Sequence, residues 1–198
     1  MSPRPRKATD REIFEAVLEA VARVGPERMT LAEVADAVGV TAGALVQRFD
    51  SKRGLLLAAI RASNEALPGR FEAVRARHGS PLAALFDYAE RAADAADTPE
   101  ELANQLGVLR LDPTDADFRA EAVRYFRAER ETFEWWIAEA VTRGELAATA
   151  DADRLARAVQ AVLNGTRLVG MVEGGEAVGR AVRRELRTLL EPHRGSGG

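Results

Sequence analysis

The 198-residue sequence contains no cysteine and only two histidines, His78 and His193. The lack of cysteine excludes a disulfide scaffold, a thiol nucleophile and any cysteine-ligated zinc or iron–sulfur site. Two histidines far apart in sequence argue against a histidine-rich metal site and against a histidine-based catalytic relay. We therefore expect no cofactor, no metal and no enzymatic activity.

Long hydrophobic runs are also missing. No apolar stretch approaches the roughly 18 residues of a membrane span. The N-terminus is basic, but the apolar region of a secretory signal does not follow it. The sequence predicts a soluble, cytoplasmic protein without a membrane partner, and its length is ample for a real core.

Charge is close to balanced, with 28 basic and 31 acidic residues and a formal net charge of −3. This balance of charge argues against a protein that binds nucleic acid non-specifically along its length. The first 55 residues hold nine bases and eight acids, a net charge of +1, whereas the remainder has a net charge of −4. The difference is small, but its sign fits a small anion-facing head on a larger acidic body.

The pattern along the chain is helical. Alanine, Leu, Glu and Arg dominate, and Gly and Pro punctuate the sequence at spaced intervals. Thr9 with Glu12 and Thr30 with Glu33 each match a capping box. The predicted helices cover, approximately, residues 9–24, 30–38, 41–49, 51–68, 80–96, 98–110, 114–143, 151–172 and 176–191, with a break or kink at the end of the fourth. We therefore expect an all-α fold of about nine helices.

The most informative segment lies between Thr30 and Lys52, where two short helices meet at Gly39. A tight turn needs a residue that tolerates positive φ, which is Gly39, and a small residue where the helices touch, which is Ala35. Four apolar residues fall on the inner faces: Val34, Val38, Val40 and Leu45. This spacing is typical of a helix-turn-helix, whose second helix is free to enter the major groove. Ala35 and Gly39 alone are equally compatible with two core helices of an Ala-rich bundle.

The residues after the turn favour the helix-turn-helix. The chain supplies Gly39, Val40, Thr41, Gly43, Leu45, Phe49, Ser51 and Lys52. In this run it resembles the TetR family of one-component transcriptional regulators, in which the turn and second helix read roughly Gly-Val-Ser-x-Gly-x-Leu-Tyr-x-x-Phe before a Ser-Lys pair. The motif covers about a quarter of the chain. The resemblance implies a DNA-binding head over residues 1–55 and a body over residues 56–198 that dimerises and binds a small effector.

The resemblance also implies which residues contact DNA. They are Thr30, Thr41, Ala42, Gly43, Val46, Gln47, Arg48 and Lys52. Position 42 is usually basic or Pro in the family and position 46 is usually Tyr, and those family residues mostly touch phosphates. Ala42 and Val46 therefore predict weaker contacts with the DNA phosphates. More of these contacts are then expected from Arg48, Lys52 and the N-terminal Arg4, Arg6 and Lys7. The alternatives are that this terminus is only a solubilising tail, or that the chain has lost operator binding.

The predicted long helix over residues 114–143 places polar groups beside aromatic ones, which is the composition of a pocket wall as well as of a bundle interior. The predicted wall consists of Leu85, Phe86, Leu106, Leu109, Tyr125, Phe126, Glu129, Phe133, Asn164, Leu168 and Met171. It favours a largely apolar or aromatic effector oriented by Glu129 or Asn164. The alternative is that these residues simply fill the core. Asn164 and Arg167 interrupt an apolar helix, either as ligand contacts or as hydrogen bonds across a subunit interface.

The last two predicted helices each carry an apolar stripe. The stripes are Leu155, Val159, Val162, Thr166 and Val169 on one helix, and Val178, Ala181, Val182, Leu186 and Leu189 on the other. Two such helices from each of two subunits can form a four-helix interface. Together with these stripes, the resemblance to the TetR family implies a homodimeric repressor that binds a palindromic double-stranded DNA operator and is released by a small molecule. The rival classes are an all-α enzyme or carrier and a protein-interaction module.

Overall fold

The computed structural model of the chain describes residues 8–94, 98, 115–173 and 177–195. These ranges contain nine α-helices and no strand, apart from an isolated bridge between Leu146 and Arg194. The helices are α1 (Asp10–Arg28), α2 (Leu31–Val38), α3 (Ala42–Phe49), α4 (Lys52–Glu65), α5 (Leu67–Ala76), α6 (Pro81–Ala93), α7 (Ala116–Thr142), α8 (Ala152–Glu173) and α9 (Val178–Leu190), followed by the 3-10 turn Glu191–His193. None of these helices is long and apolar enough to cross a membrane. The predicted all-α fold is confirmed.

Side-chain caps begin most of the early helices where the sequence predicts them. At α1 the hydroxyl of Thr9 accepts from the backbone N–H of Glu12, whose carboxylate accepts in return from the Thr9 N–H, so both halves of the capping box form. Four more helices begin after a hydroxyl that accepts from a backbone N–H three residues on. These hydroxyls belong to Thr30, Thr41, Ser51 and Ser80. Short polar side chains therefore fix where these helices begin.

The predicted breaks are present with small shifts. Gly25 has φ of +82° and interrupts α1, but Pro26 is compatible with a first helical turn, so the helix resumes and ends at Arg28. The predicted break near Pro68 falls at Ala66, because Pro68 occupies the first turn of α5, where no N–H is needed. The helix predicted over residues 98–110 lies outside the described residues, apart from position 98.

The chain forms two compact units. Unit 1 comprises residues 1–66 and 100–123, and unit 2 comprises residues 67–99 and 124–198. The largest fully buried side chains of unit 1 are Ile13, Met29, Leu45 and Leu55, and those of unit 2 include Trp136, Phe133, Leu85 and Leu186. The functional boundary at residue 55 stays a prediction, since α4 runs through that position without interruption.

Polar contacts tie the start of α7 to α4 inside unit 1. The buried Glu121 receives the Asn64 amide at both its carboxylate and its backbone carbonyl, each at 3.0 Å, and the Arg61 guanidinium at 3.1 Å. Arg53 donates to Asp115 and Asp117 at 2.7–2.8 Å. A buried carboxylate is tolerated only with such partners, so these donors fix the pairing of the two helices.

The stripes predicted for the dimer interface are partly wrong. Leu155, Val159, Val182 and Leu186 lie in the core of unit 2 and cannot face a partner subunit. α9 packs against both α6 and α8, so its most apolar side is already covered within the chain. The other predicted residues are partly buried or half-exposed: Val162, Thr166, Val169, Val178, Ala181 and Leu189.

We expect Gly54→Ala to destabilise the head. A methyl group at Gly54, in the first turn of α4, would overlap the backbone carbonyl oxygen of Phe49 at the end of α3. Because that neighbour is backbone, relieving the overlap must shift α3 against α4. The expected loss is about 1–3 kcal/mol in the free energy of unfolding, measured by urea denaturation.

Gly43→Ala is the matched control for this test. Its added methyl would meet only the Thr41 hydroxyl oxygen, at 3.9 Å. This variant should be as stable as the wild type or gain about 0.4–1 kcal/mol, because alanine narrows the unfolded ensemble. Equal stability of the two variants would contradict the close packing at Gly54.

Candidate nucleic-acid interface

The turn between α2 and α3 has the predicted geometry. Gly39 lies in the left-handed region, with φ of +70° and ψ of +35°, and caps α2. The Val40 N–H donates to the Ala35 carbonyl at 3.0 Å, which closes the turn. Ala35 is buried beneath it. A side chain at position 39 would be strained in this conformation, so glycine sets the direction in which α3 leaves the turn.

The inner face of α3 is anchored and its outer face is exposed. Leu45 is fully buried, and the Phe49 ring packs on Phe14 with centroids 5.7 Å apart. On the other side Gly43, Val46 and Gln47 are exposed. Within the described residues the Gln47 amide has no hydrogen-bond partner, so its donors and acceptor are available to a base edge.

The two predicted threonine contacts both act as helix caps. Thr30 accepts from the Glu33 N–H at 3.2 Å, and Thr41 accepts from the Ala44 N–H at 3.1 Å. Each hydroxyl keeps its own O–H, which can still donate to a phosphate. Ala42, the remaining member of the predicted set on α3, is half-buried. The structure therefore brings Thr41, Ala42, Gly43, Val46 and Gln47 together on one short helix and leaves Thr30 at the start of the other.

The two predicted cations of the interface have partners inside the chain, which sequence reasoning missed. Arg48 donates to the Ala8 carbonyl at 3.0 Å and forms an ion pair with Asp10 at 2.8 Å. The Lys52 ammonium donates to the Glu27 carbonyl at 2.6 Å. An ammonium has three N–H donors, so Lys52 keeps donors for a phosphate, whereas the charge of Arg48 is compensated by Asp10.

Internal pairing extends to the other described cations of residues 8–66. Carboxylates or backbone carbonyls accept from Arg11, Arg23, Arg28, Arg53 and Arg61. The hydrogen bond from Arg23 lowers the pKa of the Glu33 carboxyl. The basic residues Arg4, Arg6 and Lys7 lie outside the described residues. Ala8, which follows them, is buried and bonded to Arg48, so the described chain begins beside the end of α3.

A buried polar cluster occupies the interior of unit 2. The Glu129 side chain is 1% exposed and its carboxylate accepts from the Tyr88 hydroxyl at 2.9 Å, the Tyr125 hydroxyl at 3.2 Å and the Gln160 amide at 2.9 Å. Burial, and after it the charge of Glu129, raises the pKa of Tyr125 to about 12, and burial likewise raises the pKa of Tyr88. Both phenols therefore stay protonated as donors at neutral pH, and the carboxylate is well paired.

The other residues of the predicted effector wall are dispersed. Leu85 and Phe133 are fully buried in the core, where the rings of Tyr88, Phe133 and Trp136 pack with centroids 5.6–6.4 Å apart. Phe86 lies under the Arg183 guanidinium at 5.4 Å. Phe126 and Asn164 are half-buried, and Leu168 is half-exposed. Leu106, Leu109 and the Met171 side chain lie outside the described residues, so the wall stays a prediction.

Residues 13–59 match the sequence profile of the bacterial regulatory proteins of the tetR family. The matched segment includes α2, the Gly39 turn and α3, whose geometry is that of a helix-turn-helix. The chain has the TetR fold. The resemblance drawn from the motif is confirmed, both by this profile and by solved structures whose fold spans nearly the whole chain. No curated protein matches the sequence.

Three solved structures of transcriptional regulators have folds similar to that of this chain. A TetR transcription regulator from Haloarcula marismortui has 18% identity and a TM-score of 0.76, covering 93% of this chain and 97% of its own. A transcriptional regulator from Saccharomonospora viridis in complex with choline has 19% identity and a TM-score of 0.74, with 95% and 98% covered. The regulator FadR from Bacillus subtilis in complex with stearoyl-CoA has 15% identity and a TM-score of 0.70, with 91% and 97% covered.

We predict distinct effects for Gln47→Ala and Lys52→Ala on DNA binding. Gln47→Ala should cost about 1–3 kcal/mol at one base position, adenine by preference, and leave stability unchanged because the side chain is exposed and unpartnered. Lys52→Ala should weaken binding to all sequences alike and reduce the salt dependence. It should also cost about 1 kcal/mol of stability, through the lost bond to Glu27.

The measurements are fluorescence-anisotropy titrations at several salt concentrations together with urea unfolding. Each variant controls for the other, since one tests base readout and the other tests contact with the backbone. If both variants bind operator as the wild type does, α3 is not the reading helix.

Proposed function

We propose that the protein is a ligand-responsive transcriptional regulator of the TetR type, a repressor that binds a palindromic operator as a homodimer. A small effector would release it from DNA. The head would be residues 1–55 and the body residues 56–198. In this proposal the protein acts on DNA in the cytoplasm and is not an enzyme.

The observation that carries the proposal is the exposed face of α3. The Gly39 turn and the buried Leu45 hold the helix by one side, while Gly43 and Gln47 stand on the other with no partner within the described chain. A short helix anchored in this way presents side chains at a spacing that suits the major groove. The TetR fold of the whole chain gives this face a context in which related proteins are transcription regulators.

A second candidate function is a TetR-type protein that has lost operator binding and serves as a small-molecule binder or interaction module. The pairing of the described head cations favours it, because backbone contacts supply most of the affinity of DNA-binding proteins. Ala42 and Val46 also favour this second function, because they replace family residues that mostly contact phosphates. DNA binding would then depend on Lys52 and on Arg4, Arg6 and Lys7, and the first experiment below separates the two functions.

The proposed dimer surface is a groove between α8 and α9. It has a volume of about 480 Å³ and is lined by Val162, Gly165, Thr166, Val169, Val178 and Ala181, among others. Val169 is 50% exposed and Val172 is 77% exposed on the same helix. Exposed valines beside a glycine allow close approach of another helix, and a second copy of this surface is the occupant that an isologous dimer supplies.

The proposed effector is a small, largely apolar molecule bound in unit 2. The relatives bind chemically unlike ligands, choline in one case and stearoyl-CoA in the other. The fold therefore does not select a ligand, and the residues of this chain must do so. A ligand releases DNA by binding one of two states of the body more tightly than the other, and a coupling of about 1–3 kcal/mol is enough.

The first experiment tests operator binding directly. Footprinting of the DNA upstream of the protein's own gene should show a protected palindrome, with half-sites roughly 34–36 Å apart or slightly more. The complex should dissociate when a suitable apolar ligand is added. Failure of the folded protein to protect any site there, in low salt and without ligand, would favour the function without an operator.

The second experiment tests the dimer surface. Val169→Glu should weaken the dimer at least tenfold, because an isologous interface would bury the new carboxylate twice without a partner. Val123→Glu is the matched control, since Val123 is 51% exposed and lies on α7. Light scattering at micromolar concentration should give a dimer for the wild type and the control and a monomer for Val169→Glu. A wild-type monomer would refute the proposed assembly.

A further inference from the structure

One buried cation of unit 2 has no hydrogen-bond or ion-pair partner among the described residues. Arg167 on α8 is 9% exposed, and its Nε lies buried without any hydrogen-bond partner. None of the ion pairs or hydrogen bonds among the described residues involves its guanidinium. It lies four residues after Leu163, which itself lies four residues after Val159, and both are fully buried. Arg167 therefore continues the core-facing stripe of its helix.

Such an arrangement is costly unless something binds there. A guanidinium has five N–H donors, and an N–H that is removed from water without an acceptor destabilises the folded protein. Buried arginines in folded proteins are normally paired with a carboxylate or fully hydrogen-bonded. The described residues of the chain therefore leave an N–H donor of Arg167 for which a ligand could supply the acceptor.

The nearby carboxylate does not fill this role. Both Glu129 oxygens already accept hydrogen bonds, from Tyr88, Tyr125 and Gln160, and no ion pair links Glu129 to Arg167. Burial raises the pKa of Tyr125 to about 12, and the positive charge of Arg167 partly opposes this rise, so the two side chains are within electrostatic range of each other.

The neighbouring positions fit a polar end to an otherwise apolar ligand site. One turn before Arg167, the Asn164 amide donates to the Gln160 carbonyl at 2.9 Å, which leaves the Asn164 side-chain oxygen available. Phe126 is half-buried, and its carbonyl accepts from Gln160 at 2.8 Å, which places its backbone against the same helix. An aromatic side chain on α7 and an amide side chain on α8 thus accompany Arg167, which itself lies on α8.

We propose that Arg167 binds the carboxylate of an apolar organic acid, an alkanoate or arylalkanoate, whose hydrocarbon part packs beside Tyr125 and Phe126. The planar guanidinium matches a carboxylate with two parallel N–H···O bonds. A monoanion neutralises a single guanidinium, whereas a phosphate dianion would leave charge unpaired. This inference rests on the proposed function only where it names the acid as the effector.

The test is thermal unfolding of the full chain without DNA, in straight-chain alkanoates from hexanoate to dodecanoate, in phenylacetate, and in the matching alcohols and amides. At least one acid should raise the Tm by several degrees and bind with a Kd at least tenfold lower than its amide, measured by calorimetry. Arg167→Met should lose this difference, binding acid and amide alike.

The same variant gives a readout that needs no ligand. Without acid, Arg167→Met should unfold at the same temperature as the wild type or higher, because it removes an unpaired buried charge and keeps an apolar side chain of similar length. Arg154→Met, at an exposed position on the same helix, is the control and should respond to acids as the wild type does.

Three results would overturn the proposal. In the first, acids and amides stabilise the wild type equally, or no acid stabilises it. In the second, Arg167→Met lowers the Tm of the ligand-free protein by as much as an ordinary core substitution. In the third, the variant dissociates the dimer, which would show that Arg167 pairs with a second copy. Acid binding with no protected operator would instead refute the DNA-binding function and leave this inference standing.

Discussion

The left-handed turn at Gly39 is the constraint on which the head depends. Its φ of +70° sends α3 away from α2 at a fixed angle, and Ala35 beneath it leaves room for the turn to close. Leu45 and Phe49 can then fill the core from one side of α3. Because the helix is only eight residues long, anchoring that side leaves the opposite one in solvent. The exposure of Gln47 thus follows from the turn and not from any feature of Gln47 itself.

Charge compensation limits what that exposed face can bind. The head draws on its arginines to join its own elements: Arg48 holds the start of the described chain to α3, and Arg53 holds α4 to the start of α7. Each phosphate neutralised by a protein cation contributes about one unit to the salt dependence of DNA binding. A head whose described cations are already paired adds little to this salt-dependent part of the affinity for DNA. Affinity for DNA must then come from base contacts, from Lys52, which bonds only to a neutral carbonyl, and from cations outside the described ranges.

The parts of the fold set by local chemistry could be predicted, and those set by packing could not. The caps at Thr9, Thr41 and Ser51 depend on residues three apart, and the Gly39 turn depends on one φ angle, so the sequence contains their whole cause. The phase of α9 was misjudged because Val182 and Leu186 are equally apolar whether a partner subunit or α6 covers them. The bond from Arg48 to Ala8 joins residues 40 apart, and no local pattern signals it.

The same rule of pairing leads to opposite conclusions in the two units. Among residues 8–66 of unit 1 every described cation has a partner within the chain, so DNA must compete with internal partners or find other donors. In unit 2 the buried carboxylate of Glu129 accepts three hydrogen bonds, whereas the buried Nε of Arg167 has no partner among the described residues. A group that folding leaves unpaired gains the most when a partner arrives, since its desolvation cost is already included in the stability of the free protein. Ligand recognition in this body is therefore expected to involve Arg167, whose buried Nε has no acceptor among the described residues.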